Sequence, residues 1–376
     1  MIMRTIFVLF GFLILAVSFI GCRQESLNPN VVYLAAAETS IATSLTADST
    51  GGEMAITAKS SQRVSTPVTA IVEADTELIA AYNALTGKHY SPLPKGSYEL
   101  TGNSVVIQPG SNISDAVKLK ILSTKDFKDG TSYLVPVTIK SVNNLHILEA
   151  SKTIFVEVNR VIIATVASLA GNYFKVDFST NNESLKAMNT ISYEVRVMVN
   201  QFQAASPYIS SLMGIEENFL LRFGDVTVQP NQLQMAGGLT ATNVPMQFST
   251  GTWYHLAAVY DGAQLKIYVN GELAATKAAA RTVDLTSTNS GGFHFGYSAG
   301  GRLLNGAISE ARIWSRVLTQ AEIVNGMCGI DPASQGLVGY WKFNEGTGNT
   351  AFDISGNGRD AVANKNVTWI PNIRCN

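Results

Sequence analysis

From Val31 onward the chain carries the two-residue alternation of half-buried strands. Val117, Leu119 and Ile121 alternate with Ala116, Lys118 and Lys120, and Tyr133, Val135, Val137 and Ile139 alternate with Leu134, Pro136, Thr138 and Lys140. Successive side chains of a strand point to opposite faces, so each run predicts a strand with one apolar face. Ile154, Val156 and Val158 repeat the pattern, and turn-forming clusters at 108–112 and 128–130 separate the strands. One helix interrupts them: Leu78, Tyr82 and Leu85 share a helical face, Asp75 or Thr76 can cap its start, and Gly87 can end it. Further along, Leu265, Ile267 and Val269 alternate with Lys266, Tyr268 and Asn270. Asn270-Gly271 then supplies the positive φ angles of a type I′ turn, which predicts a hairpin. A strand from Trp253 to Tyr260, turning at Asp261-Gly262, precedes it, and Thr319 and Glu322 stand at the spacing of a capping box.

The first residues follow a different rule. Arg4 precedes an apolar run from Ile6 to Ile20, shorter than the ~20 residues of a membrane-spanning helix and matched to an export signal. Its end, Ser18-Phe19-Ile20-Gly21-Cys22, resembles a bacterial lipobox, with Phe19 where Leu is usual. The resemblance implies residues 1–21 as a lipoprotein signal peptide, lipidation of Cys22, and 22–30 as a tether from a lipid anchor. The alternative is an ordinary signal peptide cleaved near a cysteine. Of the remaining cysteines, Cys328 and Cys375 form an even pair in an exported chain and predict one disulfide; the alternative is two buried thiols.

Composition narrows the class further. The 376 residues are 46% hydrophobic, enough for two domains, and 27 Lys+Arg against 28 Asp+Glu leave a net charge of -1. Without a basic excess, nucleic acid is excluded as a partner.

Two stretches resemble known families. Glu73–Leu78, Ala81–Ala84, His89–Pro94, Val106–Gly110 and Tyr133–Val137 together resemble the uncharacterised immunoglobulin-like N-terminal domain of bacterial surface lipoproteins. That resemblance implies a spacer over 31–161. Gly251–Gly262, Leu265–Gly271, Asn305–Trp314 and Arg316–Ile323 are similar to laminin G-like, concanavalin A-like jelly rolls. Ser309 stands where that family usually has Asp, so no role of that carboxylate carries over. A third block, Gly339–Gly348 with Asp353–Gly358, opens the domain in many relatives and closes the chain here, which implies permuted ends. The expected fold is therefore all-β: an immunoglobulin-like β-sandwich followed by a concanavalin A-like jelly-roll β-sandwich over 165–376.

Jelly rolls of this kind include both glucanases and lectins. Retaining glycosidases need two carboxylates about 5 to 5.5 Å apart, which an even strand spacing such as E-x-D-x-x-E delivers to one face. No such pattern occurs; Glu216 and Glu217 are adjacent and Glu310 is isolated, which reads as a structural acid. His89, His146, His255 and His294 lack zinc-site spacing, and acyl-transfer and nucleotide motifs are missing. Asp353, Ser355 and Asn357 match the opening positions of a calcium loop, but Asn364 replaces its final bidentate Glu. The alternative there is an Asx-turn, although relatives of this fold often carry one calcium. Trp253, Trp314 and Trp341 fall on packing positions of the family, whereas Trp369 is less constrained. Tyr208, Tyr268, Tyr297 and Arg302 are the candidate ligand-binding residues.

The expectation is a noncatalytic lipoprotein of the outer membrane, facing either the cell surface or the periplasm, that binds a poly- or oligosaccharide and assists its capture. Its contact with the membrane would be through the lipid anchor alone. The rival is an adhesin or scaffold that binds an outer-membrane protein through the jelly roll.

Overall fold

The structure is a computed structural model that describes residues 29–179, 182–238 and 241–375. The signal peptide, Cys22 and the tether to residue 28 lie outside the described residues. Two layers of strands between Val31 and Arg160 enclose the first core. One layer is built on Val31–Leu34, Gly52–Ser60 and Ile113–Ile121, the other on Val68–Ala74, Ser104–Ile107, Tyr133–Val142 and Thr153–Arg160. Val117, Leu119, Ile121, Val135, Val137, Ile139, Ile154 and Val156 all turn inward, so the alternation in the sequence is the alternation of the pleat. The strand Tyr133–Val142 is also covered on its other face. Helix α1 (Leu78–Thr86) packs Ile79 and Tyr82 there against Leu134, and Tyr82 stacks on Phe155 at 4.1 Å.

Gly87 ends α1 at φ 68°. The buried face differs from the expected one: Ile79 takes the inner position and Leu85 is 76% exposed. Ile79 and Tyr82, three residues apart, face the sheet; Leu85 lies past that stripe.

The second unit is a sandwich of two antiparallel sheets. One sheet runs in the order Glu272–Ala278, Gln264–Val269, Trp253–Tyr260, Ile191–Gln201, Asn305–Trp314, Ile162–Ser168, Trp369–Cys375. The other contains Val228–Ala236, Phe219–Asp225, Ser210–Ile215, Phe293–Phe295, Phe174–Val176 and Ala361–Ala363. Their facing sides form one core that includes Phe174, Phe219, Phe223, Phe293, Phe295, Trp341 and Phe343. The first and last strands pair, Ile162 opposite Cys375, so the chain closes where it began and the terminal Gly339–Trp341 block joins the same sheet. Asn270 and Gly271 have φ of 50° and 83°, as the hairpin requires.

Helix α2 (Gln320–Gly326) begins with the expected capping box, the Thr319 side chain accepting from the Glu322 amide. It covers the outer side of the first of these sheets, where Ala257, Val259, Tyr268, Trp314, Ile323 and Tyr340 form a satellite core. Cys328 and Cys375 form a disulfide with a Cα–Cα distance of 5.7 Å, tying the end of α2 to the last strand.

Candidate functional site

The sheet built on Phe219–Asp225 has one side in the core and a polar outer side. Within that strand Leu221 and Phe223 turn inward, so Arg222 must turn outward. Strand pairing then sets a row across the sheet: Arg222 lies opposite Ser211 on one neighbour and Gln234 on the other, and Gln234 lies opposite Asn243. From Arg222 to Asn243 the row is hydrogen-bonded through its side chains. Arg222 Nε donates to Gln234 Oε1 at 2.8 Å, and Gln234 Nε2 donates to Asn243 Oδ1 at 2.9 Å. The other end of the Arg222 guanidinium is paired with Asp225 and lies 3.8 Å from Glu216 Oε1.

Glu216 is the centre of this arrangement. Its Oε1 accepts from Arg302 Nη1, while its Oε2 is buried and has no hydrogen-bond partner among the described residues. A buried carboxylate oxygen without a donor costs free energy unless a ligand supplies one. Glu216, Glu217, Arg222, Asp225 and Gln234, with the backbone of Gly237, line a cavity of about 220 Å³. Tyr208 and Glu217 both hold positive φ, 63° and 58°, backbone strain that often gathers at binding sites. Gly224, at φ 72°, lets the chain pass so close that a Cβ there would lie 2.1 Å from the Tyr208 carbonyl oxygen.

An aromatic group adjoins the charged one. Tyr297 stacks on Tyr173 with ring centroids 4.7 Å apart, and His294 meets both edge-on. Ser298, next to Tyr297, shares a 2.7 Å hydrogen bond with Ser211 of the polar row. Burial, with Lys175 adding to it, pushes the His294 imidazole down to about 4, so it is neutral near pH 7.

Of the four expected binding residues, Arg302 pairs with Glu216, Tyr297 precedes Ser298 beside the polar row, and the Tyr208 carbonyl lies against Gly224, but none of these three lines the cavity itself. Tyr268 is elsewhere, buried beneath α2 on the other sheet, and is not available to a ligand. Sequence reasoning missed Arg222, Asp225, Gln234 and Asn243. A signal existed in the alternation of Gln232 and Gln234 with Leu233 and Met235. The unpartnered oxygen of Glu216 could not be read from any pattern.

The calcium expectation does not fit the residues it named. Asp353 Oδ1 accepts from the backbone amides of Tyr340 and Ser355 and from the Ser355 hydroxyl, and Oδ2 accepts from the Arg359 amide. Asn357 turns its amide nitrogen toward the Leu337 carbonyl and Ser355 Oγ. These donors organise an Asx-turn that leaves no convergent oxygen set, and the described residues hold no group of three acids, histidines or cysteines able to bind a metal.

Glu310 is joined by a second buried acid that the sequence did not reveal. Glu194 and Glu310 flank the fully buried Arg312, at 3.6 and 3.9 Å. Trp314 Nε1 donates to Glu194 at 2.7 Å, Tyr340 donates its hydroxyl to Glu310 at 2.5 Å, and Arg312 Nη2 donates to the Gly326 carbonyl at 2.7 Å. Burial acts to raise the Glu194 carboxyl, but Arg312, His255 and Trp314 outweigh it and hold the group below its ordinary range. The Glu310 carboxyl is raised by burial. Lying under α2 and bound to Arg312, the two acids hold the helix to the sheet.

Comparison with known proteins places these elements in context. Residues 171–324 match the concanavalin A-like lectin/glucanase superfamily, and residues 27–146 match a model described as an N-terminal domain. A candidate carbohydrate-binding protein of Bacteroides ovatus is 23% identical with a TM-score of 0.64, covering 91% of this chain and 97% of that one. The SAP-like pentraxin of Limulus polyphemus is 15% identical with a TM-score of 0.38, over 56% of this chain and 95% of its own. Domain 4 of an extracellular arabinanase from Geobacillus stearothermophilus, solved with arabinotriose, is 20% identical with a TM-score of 0.34, over 44% and 80%. The first of these shares the fold over 91% of this chain. No curated protein sequence matches the chain.

Proposed function

We propose that the protein binds a saccharide, without cleaving it, on the outer face built around Glu216, Arg222 and Gln234. The observation that carries this reading is the buried Glu216 Oε2, without a partner among the described residues, on a side chain that lines a cavity with Arg222, Asp225 and Gln234 as well as small residues from Ala236 to Ala241. A sugar presents neighbouring hydroxyls that each donate and accept, and it would donate to Glu216 while accepting from Arg222 or Gln234. The two guanidinium groups are offset by Glu216 and Asp225, which suits a neutral ligand. The Tyr173–Tyr297 pair offers a stacking surface for the apolar side of a ring. The lectin-type fold and the carbohydrate-binding description of the Bacteroides ovatus relative support the same reading.

Absence of catalysis is part of the proposal. Glu194 and Glu310 are buried beneath α2 and engaged with Arg312, while at the cavity Glu216 is committed to Arg302 and Asp225 to Arg222, so the exposed Glu217 has no second free carboxylate to work with. With a lipid on Cys22, the chain would sit at the outer membrane and raise the local concentration of glycan for neighbouring enzymes.

A glycan array with the full chain tests this, with reducing sugars assayed in parallel. A saturable hit without product is expected, and Glu216→Gln or Gln234→Ala should weaken it by roughly 10- to 100-fold, the value of one or two hydrogen bonds to charged or buried groups. Release of reducing sugar overturns the noncatalytic claim. No hit across plant, host and microbial glycans overturns the saccharide reading and turns the search to an outer-membrane protein partner.

A further inference from the structure

The two sandwiches meet at a junction that carries a second, chemically distinct groove. Val161 is the only residue between the strand Thr153–Arg160 and the strand Ile162–Ser168, and its amide donates to the Ala47 carbonyl at 2.8 Å. Asp129 of the first unit binds Arg160 and also Lys342 of the second, the latter at 2.6 Å. Gly130 is packed so closely that a Cβ would come within 3.2 Å of Ile330 Cα. Beside this clamp lies a cavity of about 550 Å³ walled by both units, with Lys128, Tyr133, Asn159 and Arg160 on one side and Asn325 and Arg374 on the other.

The charged side chains lining the cavity are of one sign. Lys128, Arg160 and Arg374 line the cavity and no Asp or Glu does. Arg160 is engaged by Asp129, but Lys128 and Arg374 are exposed and make no ion pair among the described residues. The whole chain is nearly neutral, so three cations around one cavity, with Asp129 on Arg160 and Asp48 acting on Arg374 from outside its lining, are a local excess and do not follow from a basic composition. The Arg374 carbonyl accepts from Arg196 Nη2 at 2.7 Å, and the following residue, Cys375, also lines the cavity with its disulfide partner Cys328.

We propose that this junction groove binds the acidic group of an anionic oligosaccharide, a carboxylate on a uronic acid or a sulfate ester. Lys128 and Arg374 pair with the oxyanion, and the Asn159 and Asn325 amides serve the ring hydroxyls. The volume falls within the range of sites for ligands the size of one or two sugar rings and is too large for a lone inorganic anion. A ligand seated there would touch both units and stiffen the angle between them. The groove is separate from the outer-face site and its occupancy does not depend on that reading.

Titration calorimetry of the full chain tests it, with tetragalacturonate and a sulfated chondroitin disaccharide as probes and methyl-esterified tetragalacturonate as the uncharged counterpart. Binding of one of the anionic probes is expected, weakened at least tenfold by esterification or, for the sulfated probe, by desulfation. It should also weaken at least tenfold in Lys128→Ala/Arg374→Ala and loosen between 50 and 200 mM salt. Glu216→Gln should leave it unchanged, which separates failure here from failure of the outer-face site. Both substituted positions are exposed, and an unaltered melting curve by far-ultraviolet circular dichroism, which follows the strands of both units, verifies that the variant folds. No binding of either probe at millimolar concentration overturns the proposal. So does binding that survives removal of the charge or the double substitution, or that is lost in Glu216→Gln.

Discussion

Replacing Arg312 by Met removes the one cation between two buried acids while keeping a chain of similar reach. Arg312 is fully buried, 3.6 Å from Glu194 and 3.9 Å from Glu310, and donates to the Gly326 carbonyl that ends α2. Glu194 would keep only the Trp314 indole as a hydrogen-bond donor, because His255 Nε2, 3.4 Å away, is not aligned to make one. Breaking a buried pair by deleting one partner costs roughly 3–5 kcal/mol, since the remaining charge has lost both water and its counter-ion. For a unit of this size that corresponds to a fall in Tm of roughly 10 °C. The reporter is selective: Trp253, Trp314, Trp341 and Trp369 all lie in the second unit, so tryptophan fluorescence follows that unit alone.

The pH dependence has a defined sign. In the native chain Glu194 is held below its ordinary value of 4.5, so its pairing stabilises the fold above that pH and the contribution fades as pH falls through the lower folded value. In Arg312→Met, burial is left to dominate and the Glu194 carboxyl rises. The deficit should then be greatest near neutral pH and shrink in acid, where Glu194 takes up a proton. The double variant Glu194→Gln/Arg312→Met removes both charges and should recover more than half of the loss. A single-variant cost below about 1 kcal/mol, or a double variant as unstable as the sum of its parts, would refute the reasoning.

Other consequences can be measured on the same protein. Cys328→Ser/Cys375→Ser opens a loop spanning 47 residues and should lower stability by about 4 kcal/mol on the chain-entropy account; a variant as stable as the oxidised native chain contradicts it. His294 should titrate by NMR near pH 4, and because its folded value lies below the ordinary 6.5, native stability should rise with pH between those limits. His294→Gln should reduce that slope, and a midpoint above 6 would remove the burial argument. Gly339→Ala would set a Cβ 2.3 Å from the fully buried Trp341 ring, and overpacking of this kind should cost about 1–3 kcal/mol; a neutral result would mean the ring has room to move.

Local rules of the chain were written plainly in the sequence. Strand alternation, the Asn270-Gly271 turn, the Thr319–Glu322 capping box and the stop at Gly87 each depend on residues within a few positions of one another. Backbone geometry fixes how such neighbours face. The all-β class followed from these together with the family resemblance, and the disulfide followed from there being only two cysteines to pair beyond Cys22. Local pattern failed where a distant element decided burial. Tyr268 looks like an outward strand residue until α2, some fifty positions away, covers it, and Leu85 looks apolar and inward until Ile79 takes the contact. The Asp353 loop has the spacing of a cation site, yet its oxygens are spent on backbone amides from two directions.

The candidate sites lie wholly on the tertiary side of that divide. Arg222, Gln234 and Asn243 become one row because three strands pair in a particular register, and Glu216 meets Arg302 across 86 residues of chain. The junction groove needs Lys128 and Arg374 to be brought together from opposite domains. A sequence determines where side chains point along their own strand, because that is set by the pleat. Which distant charges share a wall, and which carboxylate oxygen is left without a donor, is set by long-range packing and exists only once both sheets have formed.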